Sequence, residues 1–133
     1  LAVFSSEKNA CLALHWKQSF NELAKKFSIA NFFPNFAYGE ILTLNRLNPK
    51  DWHFVIINDT DDSDLIKKQS LEIKNLLKKL KFDVTEIALK GRVRMSKILN
   101  AIFIGTLAAI KNAEKLDIDP SDDSLIREIN SKI

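Results

Sequence analysis

The chain has 133 residues, 46% of them hydrophobic, with 20 basic against 17 acidic side chains and a formal charge of +3. That length and apolar content suit one domain with a real core, without disulfides or metal, while the charge is too mild to mark a nucleic-acid binder. The longest apolar run, Ile98 to Ile110, falls short of the ~20 residues of a membrane span, so no membrane partner is expected.

Leu1–Phe4 reads as a first strand. It has no basic leader and is followed by Glu7 and Lys8, which is not the design of a secretory signal. An opening leucine that leads straight into a strand suggests a domain cut from something longer. Ser5-Ser6, between this strand and the first helix, is either an anion-binding nest or a polar turn.

The first helix is predicted from about Ala10 to Phe27, with Leu12, Trp16, Phe20, Leu23 and Phe27 stepping down a packed face. Glu22 falls off that face, on a polar side shared with His15, Gln18 and Lys25 or Lys26. There it could meet a substrate, or water beside an ordinary Glu22–Lys26 pair. The lone cysteine, Cys11, cannot make an internal disulfide, which points to a reducing cytoplasm; within this helix it reads as a buried structural thiol.

Asn31 to Asp51 reads as a loop followed by a short helix, in the region where α/β folds place ligands. Phe54–Ile57 and Phe82–Leu89 are the second and third strands. Between them a helix spans about Ser63 to Leu80, capped by Asp61, Asp62 or Ser63, with Ile66, Ile73, Leu77 and Leu80 buried and its lysines solvated. A helix from about Val93 to Lys115 is apolar nearly all round at Ile98–Ile110. It is predicted to be covered on more than one side, either within its own domain or at a subunit or domain interface. Gly105, Ala108 and Ala109 in it permit close approach by another helix. Asp119-Pro120 then breaks the chain before a short helix within Ser121–Ile133. Strands alternating with helices predict an α/β fold, a parallel sheet covered on both faces.

Chemical signals are few. Asp59 to Asp64 lacks the glycine and terminal glutamate of a calcium loop. His15 and His53 have no metal-ligand spacing, so no metal is expected, and the three glycines form no nucleotide fingerprint. One segment is distinctive. Trp16-Lys17, Asn21-Glu22 and Ala24-Lys25 resemble the signature helix of the bifunctional phosphoglucose/phosphomannose isomerases, in which tryptophan-lysine precedes asparagine-glutamate-asparagine-alanine-lysine. Phe33-Pro34, Glu40-Ile41, Asn58-Asp59, Ile98–Gly105 and Asp119-Pro120 follow in that family's order.

The resemblance implies a sugar isomerase (SIS) domain over residues 1–133, a three-layer flavodoxin-like fold forming the C-terminal half of a two-domain protein. Its partners would be a sugar phosphate, an N-terminal SIS domain and a second copy in a homodimer, and no cofactor is implied. The implied activity is aldose–ketose isomerisation of sugar 6-phosphates through a cis-enediol, with Glu22 as the proton-transfer residue. Tyr38 stands at the family's histidine position, and Lys132 lies two residues beyond that of its terminal lysine. Ser5, Ser6, His15 and Gln18 are candidate substrate contacts. A noncatalytic sugar-phosphate-binding or dimerisation module is the alternative.

Overall fold

A computed structural model describes residues 1–133. Its centre is a four-stranded, fully parallel sheet: β1 (Ala2–Ser6), β2 (Ile29–Phe33), β3 (His53–Asn58) and β4 (Asp83–Ala88), in the order β2-β1-β3-β4. Helices α1 (Ala10–Glu22) and α3 (Arg94–Lys115) cover one face, and α2 (Asp64–Lys79) covers the other. Helix α4 (Ser124–Asn130) closes the chain. This is the three-layer α/β architecture expected. β1 is central and buried at every residue, as a strand covered on both faces requires.

Two apolar cores follow from the layers. On one side Val3, Val55 and Ile57 meet Leu12, Ala13, Trp16 and Phe20 of α1 and Ala101 and Ala109 of α3. On the other, Phe4, Phe54 and Ile56 meet Phe33 at the end of β2, Phe36 and Leu44 from the connection between β2 and β3, together with Ile73 and Leu77 of α2 and Phe82. The close approach predicted at Gly105 is made to α1. A Cβ on Gly105 would come within 2.4 Å of the Trp16 indole nitrogen, which donates to the Ala101 carbonyl at 2.8 Å. Substituting any larger residue would push the two helices apart.

Several boundaries differ from expectation. Helix α1 stops at Glu22, because Asn21 turns its side chain onto the backbone of Ser28 and Lys25 adopts a left-handed φ of 50°. Phe27 therefore leaves the packed face and is 76% exposed. Cys11 is exposed rather than buried, since it faces away from the side that carries Leu12 and Trp16. Residues 31–33, read as the start of a loop, belong instead to the edge strand β2 (Ile29–Phe33), and three short 3-10 turns follow it where one helix was expected. Helix α2 matches closely, with Ser63 as its cap accepting from the Ile66 amide. Its own domain covers α3 on one side only: Ala101, Gly105, Ala109 and Ala113 pack inward, whereas Leu99, Phe103 and Leu107 stay exposed.

Candidate active site

Because α1 runs antiparallel to the strands, Glu22 at its C-terminal end lies at the edge of the sheet where the strands begin. The Glu22 side chain is exposed and has no ion-pair partner; its Oε1 accepts a hydrogen bond from the Gln18 amide one turn earlier. The expected pair with Lys26 does not form. Instead the Lys25 ammonium donates to the Glu22 carbonyl at 2.7 Å, to the Pro120 carbonyl at 3.4 Å and to the Asp122 carbonyl. Lys25 thus satisfies orphan carbonyls at the helix end and ties α1 to the segment before α4. Asn21 fastens the turn, its Oδ1 accepting from the Ser28 amide at 2.7 Å. The local sequence therefore fixes the backbone around Glu22 while leaving its carboxylate accessible, with a neutral donor on one oxygen. A carboxylate so placed can accept and return a proton.

The other candidate residues are dispersed. His15 was expected on the polar side with Glu22. It is half-buried in the seam between α1 and α3, its Nε2 at 3.0 Å from Thr106 Oγ1 and 3.3 Å from Ser19 Oγ. Ser5 and Ser6 are buried residues of β1 at the opposite edge of the sheet, where the strands end; the Ser5 hydroxyl donates to the Ser6 carbonyl. Tyr38 follows β2 at that same far edge and is 75% exposed. Lys132 is exposed beyond α4 and pairs with Glu128 at 2.5 Å. The 13 residues of α1 separate Glu22 from the Ser6 edge by roughly 20 Å at 1.5 Å per residue. Within one chain, only Gln18 among the candidates is brought to Glu22.

The whole of residues 1–133 matches the family of the bacterial phospho-glucose isomerase C-terminal SIS domain. The chain belongs to that family. It is 24% identical over 131 residues to a bifunctional phosphoglucose/phosphomannose isomerase of Thermoplasma volcanium, covering 98% of this chain and 42% of that protein. It is likewise 24% identical over 131 residues to the enzyme of the same name from Thermoplasma acidophilum, covering 41% of it. The SIS domain thus spans about two fifths of the length of these relatives.

At the far edge the SIS domain carries a polar cluster that sequence reading missed. The sheet order places the change of winding direction between β1 and β3, where open α/β sheets hold their crevice. A cleft of about 230 Å³ lies there, lined by residues that include Ser6, Asn58, Asp59, Asp62, Ser70 and Glu86. Beside it the Lys97 ammonium donates to Asp59 and to Asp61, each at 2.6 Å, while Lys8 stands 3.2 Å from Asp59. Asn9 bridges Ser6 and Asp59, and the Ser6 hydroxyl donates to Asp62 at 2.8 Å. Burial alone would push the Asp59 carboxyl upward. Hydrogen bonds from Lys97, the Asp61 amide, Asn9 and Lys8 outweigh it and hold the group well below the usual carboxylate range. Lys97 is raised in turn, first by its hydrogen bonds to Asp59 and Asp61. The signal available in the sequence was Lys97 itself, four residues before Ala101 on the inward stripe of α3. A lysine in such register requires a buried acid.

Proposed function

We propose that the full-length protein interconverts glucose 6-phosphate or mannose 6-phosphate with fructose 6-phosphate, and that Glu22 moves the proton. The observation that carries this reading is the accessible Glu22 carboxylate, free of any cation and held by Gln18, on the signature helix of an isomerase-family SIS domain. On the open-chain aldose Glu22 removes the C2 proton; the C–H electrons form the C1–C2 double bond as O1 gains a proton, giving the cis-enediol. Return of the proton to C1 while O2 loses its own yields the ketose. One carboxylate serves as base and then as acid.

The reading includes a preceding SIS domain that grips the phosphate, within a homodimer. Ser5, Ser6 and Tyr38 stand too far along α1 to reach a sugar held at Glu22 of the same chain, so in this reading they act only on a substrate bound by another subunit. Lys132 is assigned to ring opening together with Tyr38. A noncatalytic sugar-phosphate-binding or dimerisation module is the second reading. It is favoured by Tyr38 at the family's histidine position, because a phenol has a single oxygen where an imidazole offers two ring nitrogens, one to accept a proton and one to donate.

A coupled assay that follows glucose 6-phosphate and mannose 6-phosphate formation from fructose 6-phosphate tests both. The full-length protein is expected to turn over, and residues 1–133 alone are expected to fold without turning over, because a base without a held substrate gains little. A full-length protein that binds fructose 6-phosphate without converting it would leave only the second reading.

A further inference from the structure

The outer face of the α1–α3 layer is apolar and bare. Met95, Leu99, Phe103 and Leu107 recur every four residues along α3 and are 63%, 58%, 66% and 43% exposed, so they form one continuous stripe. Ile104 flanks them at 42%, and Leu14 of α1 adds 48% across the seam marked by the His15–Thr106 contact. Single exposed leucines need no explanation, but a contiguous band of six large side chains along two helices marks a surface built to be covered. Helix α4 points the same way: none of residues 121–133 is buried, although Leu125, Ile126 and Ile129 line one side of it. A seven-residue helix without packing is marginal in water.

We infer that this face is the seat of the N-terminal domain of the same chain, the portion that precedes Leu1 in the full-length protein. The inference rests on the two-domain reading given above. Its first support is length, since the matched segment is 42% of the T. volcanium relative and so leaves more than half of such a chain to be accommodated. The second is the point of entry. The nitrogen of Leu1 donates to the Phe27 carbonyl at 3.0 Å and its carbonyl accepts from Ile29, so the preceding chain arrives at the edge of the sheet where α1 and α3 both end. A domain tethered there is held beside the bare stripe at a high effective concentration, an advantage that a second copy in solution lacks. The partner surface is a complementary apolar helical face. Glu22 lies in line with the exposed Cys11, Leu14 and Gln18 of α1, at the rim of this seat.

Thiol labelling of the full-length protein tests the inference. In a Cys11→Ser background, single cysteines are introduced as Phe103→Cys, Leu99→Cys and, on the opposite layer, Leu65→Cys, which replaces a side chain 66% exposed on α2. Each rate is normalised to that of the denatured protein. Phe103→Cys and Leu99→Cys are expected to react roughly tenfold or more slowly than Leu65→Cys at every protein concentration, because reaction would await separation of the domains. Equal rates at all three positions would overturn the inference. Protection that vanishes when dilution yields monomers by sedimentation would also overturn it, since the occupant would then be a second copy. Adding Glu22→Gln should leave the protection unchanged while lowering turnover by ~10²-fold or more, so failure of the seat and failure of the catalytic reading are separately visible.

Discussion

Two carboxylates in this domain occupy opposite extremes. Glu22 ends a helix in the open, hydrogen-bonded by one neutral amide. Asp59 follows a central strand, has a side chain 1% exposed, and is surrounded by Lys97, Lys8, Asn9 and the Asp61 amide. Every donor around Asp59 stabilises its charge and removes its capacity to take a proton near neutrality, so it serves the fold. Glu22 keeps its carboxylate open because the donors beside it, Lys25 and Asn21, are spent on backbone carbonyls and on the next turn. The same functional group is locked into the fold or left open to solvent according to where its neighbours direct their hydrogens.

The largest expected effect separates the two on the chemical side. Glu22→Gln in the full-length protein should lower isomerisation by ~10²-fold or more, with an unchanged thermal midpoint. Near-parental turnover would end the assignment. On the structural side, Lys97→Met leaves Asp59 buried without its main counter-charge and should lower the melting midpoint by roughly 10 °C, as expected for breaking a buried pair. A midpoint within a degree or two of the parent would mean that Lys8 and Asn9 suffice.

Acid sharpens the contrast further. The folded-state value of Asp59 lies below the ordinary carboxyl value of 3.8, so its contribution to stability is complete above that value and is lost as pH falls toward the folded one. Denaturant midpoints measured from pH 6 down to pH 2 should therefore fall less steeply in Asp59→Asn than in the parent. Lys97 works in the opposite direction, its contribution being whole below 10.5 and lost as pH rises past the raised folded value. The smallest effect is expected from Gln18→Leu, which removes only the neutral donor to Glu22. A loss of several-fold in kcat/KM with no change in stability would fit one hydrogen bond of about 1 kcal/mol, and a loss as large as that of Glu22→Gln would promote Gln18 to an equal partner.

Much of the layer structure was legible because it is written in local periodicity. Helix α2 was placed within a residue or so at each end, since Ser63, the stripe of Ile66, Ile73 and Leu77, and the outer lysines all agree. β2 was missed for the same reason in reverse: Ile29-Ala30-Asn31-Phe32-Phe33 has no clean alternation, and its half-buried edge position gives it no continuous apolar run. The end of α1 was overshot because the residue that turns the chain is Lys25, not a glycine. Of the site, Glu22 was legible only through the pattern of its helix. The Asp59–Lys97 pair joins residues 38 apart, which no window along the chain connects. Placing His15 correctly required knowing that α3 lies beside α1.

The order of the sheet also bears on how the protein is made. The first strand of this domain to be synthesised, Ala2–Ser6, is the one that ends at the centre, and its neighbours are residues 29–33 and 53–58. A nascent chain therefore carries an apolar strand with one side unpaired until some fifty further residues have emerged, and the final strand closes on a ladder already assembled. Parallel pairing of this sort relies on distant contacts and is slow to form. A domain synthesised ahead of it would already be folded while β1 waits, and could shelter that strand from neighbouring chains during the interval.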